Sequence, residues 1–255
     1  MNERSLSRLV GYLLGDASLK RKKRYKRTGT QVELSIEATD LSLVEDFRNL
    51  CKRFVGREVG KITNRKRSKN WRKSFSFSCK VKKDLAELLY ELSPTYNTKP
   101  KNGVFPPCRI PKIVFKNKDN TINFLQAFVN CEGSVRLKVV KHKKWWELSR
   151  YVKISAKHPI LLEGTSKLLK LLEIHHRFAP KNNPIAVIVQ SKYAIKKFQE
   201  TIGFMRGIKV SPRGLWGGFE KSKVLEIVVK SFELQRGELQ KFSNENEIYE
   251  FLKRC

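Results

Sequence analysis

Acidic residues are scarce in this sequence. Against 54 Lys and Arg stand only 24 Asp and Glu, which leaves a formal net charge of +30 over 255 residues. Such a field binds polyanions through counterion release, and nucleic acid is the default partner. A basic membrane-surface protein is the rival class, but no long amphipathic basic helix stands out. Long apolar runs are lacking too: nothing approaches the roughly 18 residues that a spanning helix needs. The start, Met1-Asn2-Glu3-Arg4, has no secretory pattern. A protein without a membrane partner is expected, intracellular, in the cytoplasm of a prokaryote or in an organelle. Cysteine is sparse, and the five residues (Cys51, Cys79, Cys108, Cys131, Cys255) are scattered with no Cys-x-x-Cys pair. Zinc and disulfide frameworks are thereby excluded, and packed, reduced thiols are expected. Histidine is rarer still, and the adjacent His175 and His176 would point to opposite faces of a strand rather than share a metal.

What is present is a short apolar helix that ends in an acid, and it occurs twice. The first copy runs Leu9-Val10-Gly11-Tyr12-Leu13-Leu14-Gly15-Asp16-Ala17, the second Leu125-Gln126-Ala127-Phe128-Val129-Asn130-Cys131-Glu132-Gly133. Small residues sit four apart in each, Gly11 with Gly15 and Ala127 with Cys131. That spacing places them on one helix face, where small side chains let two backbones approach closely. If the two faces pack together, Asp16 and Glu132 meet at one end. A carboxylate at a helix C-terminus faces the negative end of the macrodipole, and a second one beside it adds repulsion. A hard divalent cation such as Mg²⁺ relieves both costs, because it takes carboxylate and phosphate oxygens as ligands. The pattern points to a metal-dependent phosphodiester site.

The rest of the chain alternates around these helices. After Asp16 comes a basic stretch, Lys20 to Arg27, read as a strand and its turn with Gly29 near the bend. Val32, Leu34 and Ile36 alternate on one face of the next strand. Asp40 can cap a helix from Leu41 to about Phe54. Strands are expected over Glu58–Arg67 and Arg72–Val81. In the latter Phe75, Phe77, Cys79 and Val81 turn inward, and Arg72, Ser74, Ser76, Ser78 and Lys80 outward. A helix from Lys82 to Leu92 closes the unit. Residues 93–119 hold five of the nine prolines and read as a linker that crosses the body of the protein.

The second half repeats this order. Its motif helix is expected from Thr121 to Glu132, strands over Ser134–Lys141 and Glu147–Lys157, and a helix from Pro159 to Glu173. Short strands then follow around His175–Pro180 and Ile185–Gln190, and a helix from about Lys192 to Ile202. Past Gly203 the halves diverge. Met205 to Gly218 reads as a basic loop, in which Arg206, Lys209 and Arg213 face either DNA or solvent. Helices carrying Leu225, Val228, Val229 and Phe232, and then residues 246–255, are expected to brace the second half. The organisation is therefore an N-terminal repeat (1–92), a linker (93–119), a second repeat (120–203) and a C-terminal extension packed on it (204–255).

The two motifs, each leading into a basic strand pair and a helix, resemble the LAGLIDADG homing endonucleases of the single-chain type. The resemblance spans roughly Ser5 to Gly203. Gly15 stands where that family usually has alanine, Glu132 replaces an aspartate, Ala127 a glycine and Asn130 another aspartate. Both terminal acids and the small packing face are retained. The resemblance implies an α+β, pseudo-symmetric duplicated αββαββα fold whose two four-stranded antiparallel sheets form a saddle in the DNA major groove. It further implies that Asp16 and Glu132 hold divalent metal ions, with the carbonyls of Ala17 and Gly133 as further ligands. A basic or amide group near each scissile phosphate is also implied, at the end of the second strand of each half. In the second half that is Lys157, which can equally be a surface lysine preceding a helix. In the first half it falls at Ala38-Thr39, where no such group stands. Either a residue of the Lys20–Arg27 stretch substitutes there, or that half-site is slower.

The expected DNA-contacting set is Arg24, Lys26, Arg72, Ser74, Ser76, Lys80, Arg136, Lys138 and Lys153, on outward strand positions. A two-stranded ribbon fits the major groove, and some of these side chains will contact phosphate instead of bases. The expected function is a monomeric, Mg²⁺-dependent, site-specific double-strand DNA endonuclease encoded in an intron or other mobile element. No intein splice residues are evident. One alternative is an RNA-splicing maturase that binds intron RNA on the same scaffold. Another is a silent DNA-binding regulator, which retention of both acids disfavours.

Overall fold

A computed structural model gives the structure of residues 2–23, 30–56, 59–65, 73–179, 186–212, 214–234 and 236–254. The first half comprises α1 (Glu3–Leu14), β1 (Ala17–Lys23), β2 (Thr30–Ala38), α2 (Leu41–Val55), β3 (Thr63–Arg65), β4 (Ser74–Lys80) and α3 (Lys83–Leu92). The second comprises α4 (Lys118–Glu132), β5 (Gly133–Lys141), β6 (Trp146–Ser155), α5 (Pro159–Leu171), β7 (Arg177–Phe178), β8 (Ala186–Val189) and α6 (Lys192–Thr201). Helices α7 (Lys221–Lys230), α8 (Arg236–Leu239) and α9 (Glu245–Arg254) follow. Each half holds a four-stranded antiparallel sheet, ordered β1-β2-β4-β3 in one and β5-β6-β8-β7 in the other. The duplicated α+β architecture expected from the sequence is the one observed.

Helix α1 starts where the Asn2 side chain accepts hydrogen bonds from the Arg4 and Ser5 amides, and α4 where Asn117 accepts from the Asn120 amide at 2.8 Å. This cap sets α4 going at Lys118, inside the stretch that reads as linker. The two motif helices then pack along their small faces. A Cβ on Gly11 would lie 2.5 Å from the Phe124 carbonyl and 3.0 Å from the Ala127 Cβ, and one on Gly15 would lie 2.6 Å from the Cys131 Cβ. Only glycine permits this approach. Beneath α1, Tyr12 meets Phe47 edge-on at 5.4 Å, and Phe47 meets Phe77 at 6.1 Å, which welds α1, α2 and β4 into one core. Each such fully buried aromatic contributes about 2–3 kcal/mol of hydrophobic stabilisation.

Strand alternation follows the sequence in the long strands: Leu34 and Ile36 on β2, and Val135, Leu137 and Val139 on β5, are buried. The short strands differ from expectation. β3 covers Thr63–Arg65 within the expected Glu58–Arg67, and β7 only two residues. These are outer strands, each paired on one side only, so little holds them in extended form beyond that pairing. β6 ends at Ser155, leaving Lys157 in the turn before α5.

The proline-rich stretch does cross the body. Arg109 donates to the Glu91 and Leu92 carbonyls at the end of α3, the Pro106 carbonyl lies 2.8 Å from His158 Nε2, and Ile110 fills the space over Gly164 of α5. The C-terminal extension lies along β5, the other outer strand of the second sheet. Trp216 Nε1 donates to the Leu137 carbonyl at 2.7 Å, and the Tyr249 hydroxyl accepts from the Val139 amide at 3.0 Å. The extension thereby meets the β5 backbone at Leu137 and Val139, which hinders that part of the edge from pairing with another chain. No helix among the described residues is long and apolar enough to cross a membrane.

Candidate nuclease centre between the motif helices

The two acids arrive by different local routes. α1 stops at Leu14 because Gly15 closes the helix, its amide donating to the carbonyls of Gly11 and Tyr12, and Asp16 follows in the turn before β1. α4 runs through Glu132 itself and passes into β5 at Gly133 without a loop. A side chain at 133 would strike the Val129 carbonyl, so this sharp junction requires glycine.

The helix packing brings Asp16 and Glu132 to one place, where they line a common cavity of about 1160 Å³ with Ser18, Ser35 and Lys99. Their electrostatics show how costly the arrangement is. Burial first, and then the charge of Asp16, pushes the Glu132 carboxyl up to about 7. Asp16 reaches the surface, yet the protein around its carboxyl removes enough water to raise its pKa as well, against the lowering influence of Lys221 and of a Cys131 hydrogen bond. Both acids are thus held in surroundings that disfavour their charge, which a hard cation would reverse. The donors fit such an ion: two carboxylates in a cavity open to a phosphate. No cluster of three or more His, Cys, Asp or Glu side chains able to hold a metal exists among the described residues. The remaining ligands would have to come from backbone, water or substrate, as hard cations that keep waters and bind phosphate oxygens allow.

Of the two expected carbonyl ligands, Gly133 is already engaged: its oxygen accepts a hydrogen bond from Lys221 Nζ at 2.7 Å. Ala17 opens β1 opposite Ile36. Lys157 lies exposed in the turn after β6, close enough for its charge to lower the Glu132 pKa.

A second cavity, of about 980 Å³, adjoins Asp16 on the side of Ala38 and Thr39. The first half brings Lys73 to this cavity, and the C-terminal extension brings two further cations, Lys209 and Lys221. The extension reaches across because Gly207, with φ +82°, turns tightly against Ser42 at the start of α2. Asp40 accepts a backbone hydrogen bond from Lys209. Lys221 is half-buried, and the loss of water around its ammonium lowers its pKa, while Asp40, Cys131, Asp16 and Glu132 act the other way. Of the Lys20–Arg27 stretch, Lys20 lines the other cavity, and residues 24–27 lie outside the described residues.

The outward sheet faces carry most of the remaining expected contacts. Lys80, Arg136 and Lys138 are exposed, and Lys153 is half-buried. Ser74 and Ser76 differ from the open hydroxyl row that alternation suggests. Ser74 donates to Glu37 at 2.8 Å, Ser76 shares a 2.8 Å hydrogen bond with Thr63, and both are buried by these neighbours. Arg24, Lys26 and Arg72 lie outside the described residues, as do the Gly29 bend, Arg213 and Cys255. His176 is used internally, bonded to Ser166 and the Ile174 carbonyl.

Residues 119–203 match the family model described as LAGLIDADG-like domain. Known structures align over most or all of the chain. A variant of I-DmoI, in complex with its target DNA nicked in the coding strand and in the presence of manganese, aligns at 18% identity with a TM-score of 0.51, covering 79% of this chain and 97% of that one. I-SmaMI bound to uncleaved DNA in the presence of calcium ions aligns at 15% identity and TM-score 0.59, covering 100% and 98%. This is the LAGLIDADG fold, duplicated within one chain. No curated protein sequence matches it.

The two LAGLIDADG helices were legible from their spacing, whereas Lys99 and Lys221 were not. Both lie outside the repeats, in the linker and the extension, and no periodicity marks them. Each exerts its charge on Asp16 and on Glu132. The one clue in the sequence was the missing cation at Ala38-Thr39, which says that a basic group is owed but not where it comes from.

Proposed function

We propose that this protein is a site-specific double-strand DNA endonuclease, in which Asp16 and Glu132 hold divalent ions, magnesium in the cell, against the scissile phosphates. The single observation that carries this reading is the pair of desolvated carboxylates meeting at the end of the packed LAGLIDADG helices, ringed by Lys99, Lys157 and Lys221. A divalent ion at such a site supplies a water of lowered pKa and neutralises charge on the phosphate. The chain's own groups do the rest. Asp16 and Glu132 present oxygens without reorganisation, because the helix packing fixes both backbones. Lys221, anchored on the Gly133 carbonyl, places a fixed positive charge where the phosphorane develops negative charge. Lys157 and Lys99 do the same on the side of Glu132. The basic outer faces of the sheets hold the duplex, and both half-sites belong to one polypeptide, so a monomer suffices.

An RNA-splicing role finds no specific observation in its favour, and the polymer named with the structural neighbours is DNA. The test is incubation with Mg²⁺ and a randomised duplex library, followed by sequencing of the cut ends. Paired nicks at a defined site are expected, lost in Asp16→Asn and Glu132→Gln while DNA binding survives. Binding of intron RNA with no DNA cut under any divalent metal would overturn the reading.

A further inference from the structure

We infer that Asp40 is a positioning residue: it clamps the C-terminal extension onto the first half and thereby sets Lys221 beside Asp16 and the Gly133 carbonyl. This inference rests on the endonuclease reading above. Asp40 occupies the N-cap position of α2, where a carboxylate ordinarily accepts from the first helix amides. Its side chain bonds none of them. It accepts instead from the backbone amide of Lys209, far along the chain in the extension. Helix α2 forgoes its side-chain cap, and the carboxylate holds the extension.

The local backbone explains why that amide is free to be taken. Residues 208–210 and 219–221 face each other as a short antiparallel pair. The Lys221 amide donates to the Ile208 carbonyl at 2.7 Å, the Val210 amide to the Phe219 carbonyl at 2.8 Å, and Lys209 stands opposite Glu220. In such a pairing the residue between two ladder bonds turns its own amide to the other side. The Lys209 N–H therefore leaves the pair on the side of α2. Gly207, with φ +82°, permits the approach, since a Cβ there would strike Ser42 Oγ. The start of the segment is fixed on the other half, where the Met205 amide donates to the Asn130 side chain at 3.0 Å.

Lys221 follows directly on that bridge. Its Nζ donates to the Gly133 carbonyl at 2.7 Å and lies 5.5 Å from the centre of the Phe204 ring. A lysine is a point charge on a flexible four-carbon stem, so it keeps one place only when the backbone beneath it is held. Asp40 supplies that hold from the first half, and Gly133 receives the ammonium in the second. Without Asp40 the pair stays tied to the second half alone, and the ammonium is no longer fixed at the phosphate position.

The test compares the full-length protein with Asp40→Ala, Asp40→Asn, Lys221→Met and the double variant Asp40→Ala/Lys221→Met, each shown to be folded by a thermal melt. Hydrogen exchange read by mass spectrometry should quicken across residues 205–212 in Asp40→Ala. Asp40→Asn should keep the wild-type protection, because its amide oxygen can accept the same hydrogen bond. Single-turnover cleavage of the site selected from the randomised library should slow about tenfold in Asp40→Ala, inside the hundredfold that a misplacement of about 1 Å can cost. Filter-binding affinity should stay unchanged, and Asp40→Asn should recover most of the rate. In the Lys221→Met background Asp40→Ala should cost nothing more, since the group it positions is gone. If Asp40→Ala slows that background by the same factor as the wild type, Asp40 does not act through Lys221 and the inference is overturned. Unchanged exchange across residues 205–212 in Asp40→Ala would overturn it as well. If the wild type cuts no duplex, the endonuclease reading fails, and the exchange measurement still decides whether Asp40 holds the extension.

Discussion

A protein that stores repulsion between two carboxylates should become more stable when that repulsion is removed. In the folded chain Glu132 titrates at about 7 instead of its ordinary 4.5, because of burial and the adjacent Asp16. A carboxyl whose folded pKa is raised binds its proton more tightly in the native state, so the native state is favoured at low pH. That advantage is present below about pH 4.5 and is lost as pH rises through about 7. The full shift corresponds to about 3 kcal/mol. Partial solvent access at the cavity mouth reduces this to about 1–2 kcal/mol. The perturbation is Glu132→Gln, which keeps shape and removes the charge. The assay is thermal unfolding of both proteins in chelator, at pH 5 and pH 8. At pH 8 the variant should melt about 2–8 °C higher, at 2–4 °C per kcal/mol for a chain of this size. At pH 5 the difference should shrink, since Glu132 is then largely protonated in the wild type. Adding Mg²⁺ at pH 8 should raise the wild-type midpoint and leave the variant nearly unmoved. A variant that is less stable than the wild type at pH 8, or a difference independent of pH, would refute the reasoning.

Three further outcomes follow from the same geometry. Gly11→Ala places a Cβ 2.5 Å from the Phe124 carbonyl and should cost about 1–3 kcal/mol in denaturant unfolding through overpacking of the helix pair. Asp46 accepts hydrogen bonds from Arg8 and from Tyr12, and Arg8 also donates to Gln126 of the second motif helix; Asp46→Ala should cost about 2–4 kcal/mol by stranding a half-buried guanidinium, with Asp46→Asn restoring part of it. Lys221→Met should slow single-turnover DNA cleavage about a hundredfold, the loss typical of one fixed charge stabiliser, with filter-binding affinity changed little and Lys221→Arg recovering part of the rate.

Much of the site was already readable because its parts are local. The interval of four between Gly11 and Gly15, and between Ala127 and Cys131, is a property of any α-helix, so the small faces could be named before their partner was known. Alternation in β2, β5 and β6 likewise follows from the two-residue period of a strand. Ser74 and Ser76 were misjudged because alternation gives the side of the sheet but not what stands beside it. Their burial depends on Glu37 and Thr63, brought next to them by strand order.

By itself, then, the sequence determined a duplicated α+β chain, two acid-tipped helices with interlocking small faces, and a charge suited to a polyanion. It did so because helix period, strand period and net charge are sums over neighbouring residues. Only the tertiary structure decided that Lys221 of the extension comes to Asp16 and the Gly133 carbonyl, and that Lys99 of the linker lines the cavity shared by Asp16 and Glu132. Those contacts join residues far apart along the chain, and whether they form depends on how a loop crosses from one repeat to the other, which no local periodicity records.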